Sequence, residues 1–181
     1  MNSLLAVIAG LAAWETFWWS ERVHDRHALY DRAKTHARAL GLPLIVVGAP
    51  DQGPTPGPGC GDLCLDIAPT ACPCSMQLDI TKPIPIPNDS AVIFVSCVLE
   101  YVENFEAAWR ELQRIAPNRV YVCRVQPWTL TAHLYPGAQR ILDKRLCEPQ
   151  PDPIPQIRRA PGIPRAFAFS PAVPGRAWEA V

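Results

Sequence analysis

The sequence predicts a three-layer α/β fold, a mostly parallel sheet with helices on both faces, preceded by an N-terminal apolar helix. Three observations point there. Short β-branched runs such as "LIVV" and "AVIFV" lack polar alternation, so each reads as a strand covered on both faces. Between two such runs lies "FEAAWRELQRIA", with apolar residues at helical spacing, and strand, helix, strand in close succession is the crossover unit of a parallel sheet. The first nineteen residues, finally, are almost entirely apolar.

Composition bounds the function. The chain has 181 residues, 49% of them apolar, enough for one domain of ordinary size with a real core. Lys+Arg and Asp+Glu both number 17, so the net charge is zero and no basic field exists to hold a nucleic-acid backbone. No nucleic-acid partner is expected. The 21 prolines fall mainly between Pro50 and Pro87 and after Pro149, which marks those intervals as loops.

From Ser3 to Trp19 the run "SLLAVIAGLAAWETFWW" has the pattern of a membrane anchor or interfacial helix over residues 1–20. It is slightly short of the roughly 20 apolar residues of a transmembrane helix, and Trp14, Trp18 and Trp19 suit the interfacial belt. A buried soluble helix is the alternative; a signal peptide fits less well because no positive residue precedes the run. The positive-inside tendency of Arg22, Arg26, Arg32, Lys34 and Arg38 would keep the rest of a membrane-associated chain on the cytoplasmic face. Residues 21–41 form an amphipathic helix with Leu29, Ala33, Ala37 and Leu40 on one side and Gly41 as its stop. His24, His27 and His36 read as surface residues of that helix.

Residues 42–147 hold the predicted α/β domain. Its strands are "LPLIVV", then Asp62 to Pro69 with an aspartate at its carboxyl end, then "SMQLD" closing on Asp79, then "SAVIFVSCV" and "NRVYVCRV". The helix before the fifth strand presents Phe105, Ala108, Trp109, Leu112 and Ile115 on one face and Arg110, Glu111 and Gln113 to water. Residues 148–181 read as a proline-rich tail.

The acidic strand end at Asp79, the lead "IPIPNDS", the buried strand, "CVLEYVENFEAAWRELQRI" and the strand beyond resemble the second half of class I S-adenosylmethionine-dependent methyltransferases. The match is to their small-molecule, type 11-like branch in a degenerate and shortened form; it covers roughly residues 42–125 and is specific over 79–115. The resemblance implies a Rossmann-like sheet, S-adenosylmethionine as cofactor and methyl transfer to a small or lipid-associated acceptor. It implies that Gly48 and Gly53 approach the methionine part of the cofactor, that Asp66 binds the ribose hydroxyls and that Asp79 and Ile80 contact the adenine. Ser96, Cys97 and Val98 would lie beside the cofactor and acceptor. Ligands of open α/β sheets settle outside the carboxyl ends of the strands, where such residues belong.

The interval "VVGAPDQGPTPGPGCGD" departs from the family, whose glycine-rich turn leads into a helix; prolines at 50, 54, 56 and 58 exclude a regular helix here. A non-catalytic interaction domain derived from the same fold is therefore the rival expectation. Two candidate bases remain, Glu100 just past the fourth strand and His133 near Trp128 and Tyr135. Cys60, Cys64, Cys72 and Cys74 have irregular spacing, which predicts free thiols more readily than a metal site, and no metal is expected; Cys97 and Cys123 read as core residues.

Overall fold

The computed structural model describes residues 2–48, 57–124 and 129. One helix, α1 (Asn2–Leu40), takes in both N-terminal segments without a break. It stops where Gly41 turns left-handed at φ 69°. The Gly41 amide donates to Arg38 O at 3.2 Å and the Leu42 amide to Ala37 O at 3.0 Å, which satisfies the last carbonyls and turns the chain into the sheet. No helix among the described residues is long and apolar enough to cross a membrane.

Five strands follow: β1 (Leu44–Val47), β2 (Leu63–Asp66), β3 (Ser75–Gln77), β4 (Val92–Ser96) and β5 (Val120–Cys123), with a second helix, α2 (Phe105–Ile115), between the last two. They form one sheet in the order β3-β2-β1-β4-β5, with every pairing parallel. The uninterrupted apolar runs have the cause expected of them: all residues of β1, β4 and β5 are buried, because each face of the sheet is covered. On one face Tyr30, Ala33 and Ala37 of α1 pack on Leu44, Val46, Val92, Phe94 and Tyr121. On the other, Phe105, Ala108, Leu112 and Ile115 of α2 pack on Ile45, Val47, Ile93, Val95 and Val122. The strand period of two deals alternate residues to opposite helices.

The helix α2 begins at Asn104, whose side chain accepts a hydrogen bond from the Ala107 amide at 3.2 Å, as an N-cap does. Its buried face is the predicted one, except that Trp109 is half-buried and stacks on Phe105 with ring centroids 5.9 Å apart. Outside that face, Arg114 does structural work that the sequence did not advertise. It donates to Ile86 O at 2.8 Å and to Ile84 O at 2.9 Å, while Glu111 accepts from the Ile84 amide at 3.1 Å. The proline-rich lead into β4 is thereby pinned to α2.

Between β1 and β2, residues 57–62 are non-helical, and residues 49–56, Gly53 with them, lie outside the described residues. Asp62 accepts from the Leu44 amide at 2.8 Å and sets the register of the pair. The chain then passes from β2 to its parallel neighbour β3 through residues 67–74 alone, shorter than the dozen or so residues such crossovers usually need. A disulfide between Cys60 and Cys72 ties this connection to the segment before β2. The expectation of four free thiols is thus corrected: Cys64 and Cys74 are free, Cys60 and Cys72 are bonded. Irregular spacing argues against a zinc knuckle but says nothing of which thiols meet across a loop.

His36 is a second correction. It is buried, not superficial, and its Nδ1 lies 2.8 Å from the Tyr121 hydroxyl on β5. Helical periodicity locates a residue on the helix surface but does not say which stretch of that surface a sheet will cover.

Candidate functional site at the carboxyl edge of the sheet

The order β3-β2-β1-β4-β5 has one topological switch point, between β1 and β4. The chain leaves β1 toward β2 on one side and leaves β4 toward β5 on the other, so the two connections diverge and open a crevice at the carboxyl ends.

Gly48 ends β1 at this point, at φ 93°, its amide donating to Leu65 O at 2.9 Å. A β-carbon there would stand 2.3 Å from Val98 Cγ2 and 2.9 Å from Ser96 O. Only glycine allows the backbone beyond β1 to press this closely on that beyond β4.

Across the switch point, Ser96 ends β4 and is buried, and Cys97 follows in the left-handed region at φ 53°. The Cys97 amide donates to Cys123 O at 2.8 Å, and the two sulfur atoms are 3.6 Å apart. The thiol–thiol hydrogen bond to Cys123, then burial, and then the charges of Cys123 and Glu100 push the Cys97 thiol well above its ordinary value. The shift favours the neutral thiol over the thiolate that acts as a nucleophile. Glu100 is fully buried in the 3-10 turn Leu99–Tyr101 behind Cys97.

Asp66 ends β2, and its Oδ1 accepts from the Ala68 amide at 2.8 Å. Asp79 lies two residues past β3; its Oδ1 accepts from the Thr81 hydroxyl at 2.7 Å and the Thr81 amide at 2.9 Å, which hold its carboxyl below the usual carboxylate range. Ile80, beside it, turns its side chain into the core under α2.

Six of the sequence-predicted site residues therefore gather along one edge, with Gly48, Ser96 and Cys97 meeting at the switch point, Glu100 behind them, and Asp66 and Asp79 at successive strand ends. Ile80 shares the edge through its backbone alone. Gly53 and His133 lie outside the described residues, as do Trp128 and Tyr135. Sequence reasoning missed Cys123 as the partner of Cys97, although both stand at ends of strands that the βαβ pattern makes neighbours. Among the described residues no three His, Cys, Asp or Glu side chains converge as metal ligands would.

Chemically, the edge offers a glycine-lined approach to backbone, two carboxylates able to accept from hydroxyl or amino groups, and a deeply buried carboxyl. No family model matches the chain, and no curated protein or solved structure matches it either.

Proposed function

We propose that this chain is a methyltransferase-like domain that binds S-adenosylmethionine along the carboxyl edge of its sheet and acts on a small or lipid-associated acceptor. The observation that carries the reading is the all-parallel order β3-β2-β1-β4-β5, with an obligatory glycine at the switch point between β1 and β4. In this reading Gly48, with Gly53, flanks the methionine end, Asp66 accepts from the ribose hydroxyls, and Asp79 and the Ile80 backbone meet the adenine. Ser96 and Cys97 line the place where acceptor and sulfonium methyl come together, with Glu100 and His133 as candidate bases. In-line placement supplies most of the rate in such transfers, so the architecture of the edge matters more than any one base.

A second reading, a non-catalytic interaction domain, is favoured by one specific observation. The Asp66 and Asp79 carboxylates both accept hydrogen bonds from nearby backbone amides, as turn-capping aspartates do. The two readings separate in a calorimetric titration of the full chain with S-adenosylmethionine and with its demethylated product. We expect binding, weakened roughly tenfold to a hundredfold in Asp66→Ala, the worth of a charged hydrogen bond. A folded wild type that binds neither compound ends the methyltransferase reading and leaves the interaction domain.

Membrane association through the apolar half of α1 belongs to the same proposal. The side of the membrane is a separate question, because the positive-inside tendency presupposes a spanning helix. The Cys60–Cys72 disulfide is of a kind that persists in oxidising surroundings, which favours such surroundings over the cytoplasmic face.

A further inference from the structure

We infer that the carboxyl edge of the sheet docks on a lipid bilayer with the apolar half of α1 inserted beside it, so that the acceptor reaching the crevice is an amphiphile carried in that bilayer. The part about the acceptor rests on the methyltransferase reading; the docking does not.

Direction is the first argument. The helix α1 runs antiparallel to the strands. Its last residue hands the chain through Gly41 to the start of β1, His36 meets Tyr121 early in β5, and the Tyr30 ring packs on Phe94 in mid-β4 with centroids 5.5 Å apart. From Tyr30, level with Phe94, the 26 residues back to Leu4 carry the helix roughly 39 Å at 1.5 Å per residue, whereas β4 runs on only two residues past Phe94. The apolar arm therefore overhangs the edge that holds the crevice, not the opposite one.

Exposure is the second. Every residue from Ser3 to Trp14 is exposed, and Leu4, Leu5, Ile8, Leu11 and Phe17 are between 48% and 66% accessible. Among the described residues, the large exposed apolar side chain outside α1 is Ile67, 72% accessible, and it lies at the carboxyl edge directly after β2. Arm and Ile67 both lie toward the carboxyl edge, while the amino-terminal edge carries Asp89 and Asn118 in left-handed turns.

Chemistry selects the occupant. Residues 4–14 contain no polar side chain on any side of the helix. A partner helix or a second copy of the chain would cover one stripe; lipid surrounds the whole circumference. Those 11 residues rise roughly 16 Å, about half the hydrocarbon thickness, which fits insertion into one leaflet and needs no crossing. Above them Trp14, Trp18 and Phe17 form an edge-to-face cluster with centroids 5.4–5.6 Å apart, suited to the headgroup boundary. Arg22 and Arg26 follow, alternating with Glu21 and Asp25, so insertion and not charge supplies most of the affinity.

The test is hydrogen exchange on the full chain with and without vesicles of phosphatidylcholine containing a minority of phosphatidylglycerol. The docking predicts protection over residues 4–19 and 67–70, at the carboxyl end of β2, and none at 87–90 and 116–119, on the amino-terminal edge. Leu5→Glu with Leu11→Glu, which alters only exposed positions, should reduce vesicle partition by about tenfold or more at an unchanged melting temperature. Protection confined to α1, protection of the amino-terminal edge, unaltered partition of the double variant, or self-association through α1 in place of vesicle uptake overturns the docking. S-adenosylmethionine binding, titrated without vesicles, reports on the methyltransferase reading separately. With methyl-labelled cofactor and vesicles of whole membrane lipid extract, label should enter the lipid phase; a chain that binds the cofactor and docks edge-on but labels no lipid overturns the assignment of the acceptor.

Discussion

Arg114 and Glu111 form a two-sided clamp: the guanidinium pairs with the carboxylate at 2.7 Å while Glu111 accepts from the Ile84 amide and Arg114 donates to the Ile84 carbonyl. Proline at positions 83, 85 and 87 leaves the lead into β4 poor in amide donors, and the Ile86 amide is spent on Ile84 O at 2.7 Å. The two charged residues of "ELQRI" replace that missing backbone bonding, and the two apolar ones, Leu112 and Ile115, bury themselves beneath.

Removing the clamp should cost the fold, not the ligand. Arg114→Ala leaves Ile84 O and Ile86 O without these donors, and we expect a loss of roughly 1–3 kcal/mol in denaturant melts. The Arg114 hydrogen bonds hold the Glu111 carboxyl below its usual range. Its contribution is therefore complete above the unfolded carboxylate pKa of about 4.3 and is lost as pH falls through the lower folded value. The variant should show a flatter acid limb than wild type.

Gly48→Ala is expected to be severe. A side chain at φ 93° is strained in itself, and its β-carbon would overlap Val98 and Ser96. Left-handed strain and overpacking together amount to roughly 2–5 kcal/mol. Thermal melting measures it, and a variant as stable as wild type would show that the approach of β1 to the residues after β4 is not close.

His36 should make stability depend on pH near neutrality. Burial first, and then the Arg119 charge, lower its pKa from the ordinary value, so the folded state favours neutral imidazole beside Tyr121. The unfolded chain binds the extra proton more readily, and stability therefore rises with pH through the unfolded value of about 6.5 and declines below it until the folded value is passed. Denaturant midpoints between pH 5 and 8 should follow this slope in wild type and lose it in His36→Gln. An unchanged slope in the variant would assign the dependence elsewhere.

Reducing the Cys60–Cys72 bond should loosen the β2–β3 end of the sheet. It closes a loop of 12 residues' separation, for which chain entropy gives a stabilisation of about 3 kcal/mol. A non-reducing peptide map should link these two cysteines, and reduction should lower the melting temperature while raising hydrogen exchange in β3 before β4. A map that finds both as free thiols contradicts the pairing.

Local pattern was enough to determine the five strands, the helix α2 with its buried face, the Gly41 stop and the α/β class, because each follows from side-chain periodicity over a few neighbouring residues. The same patterns placed Gly48 and Asp66 at the ends of strands; Asp79 lies two residues past β3, and Ser96, expected within the fourth strand, ends it. What such patterns leave open is everything that depends on which surfaces meet at long range. Only the tertiary structure decided that β1 lies between β2 and β4, that Cys97 faces Cys123 and that Cys60 bonds Cys72. The burial of His36 and the overhang of the apolar half of α1 past the carboxyl edge belong with these. The physical reason is the same in each case: a strand or helix states which of its faces is apolar, but the partner that covers that face is chosen by packing among segments far apart in the chain.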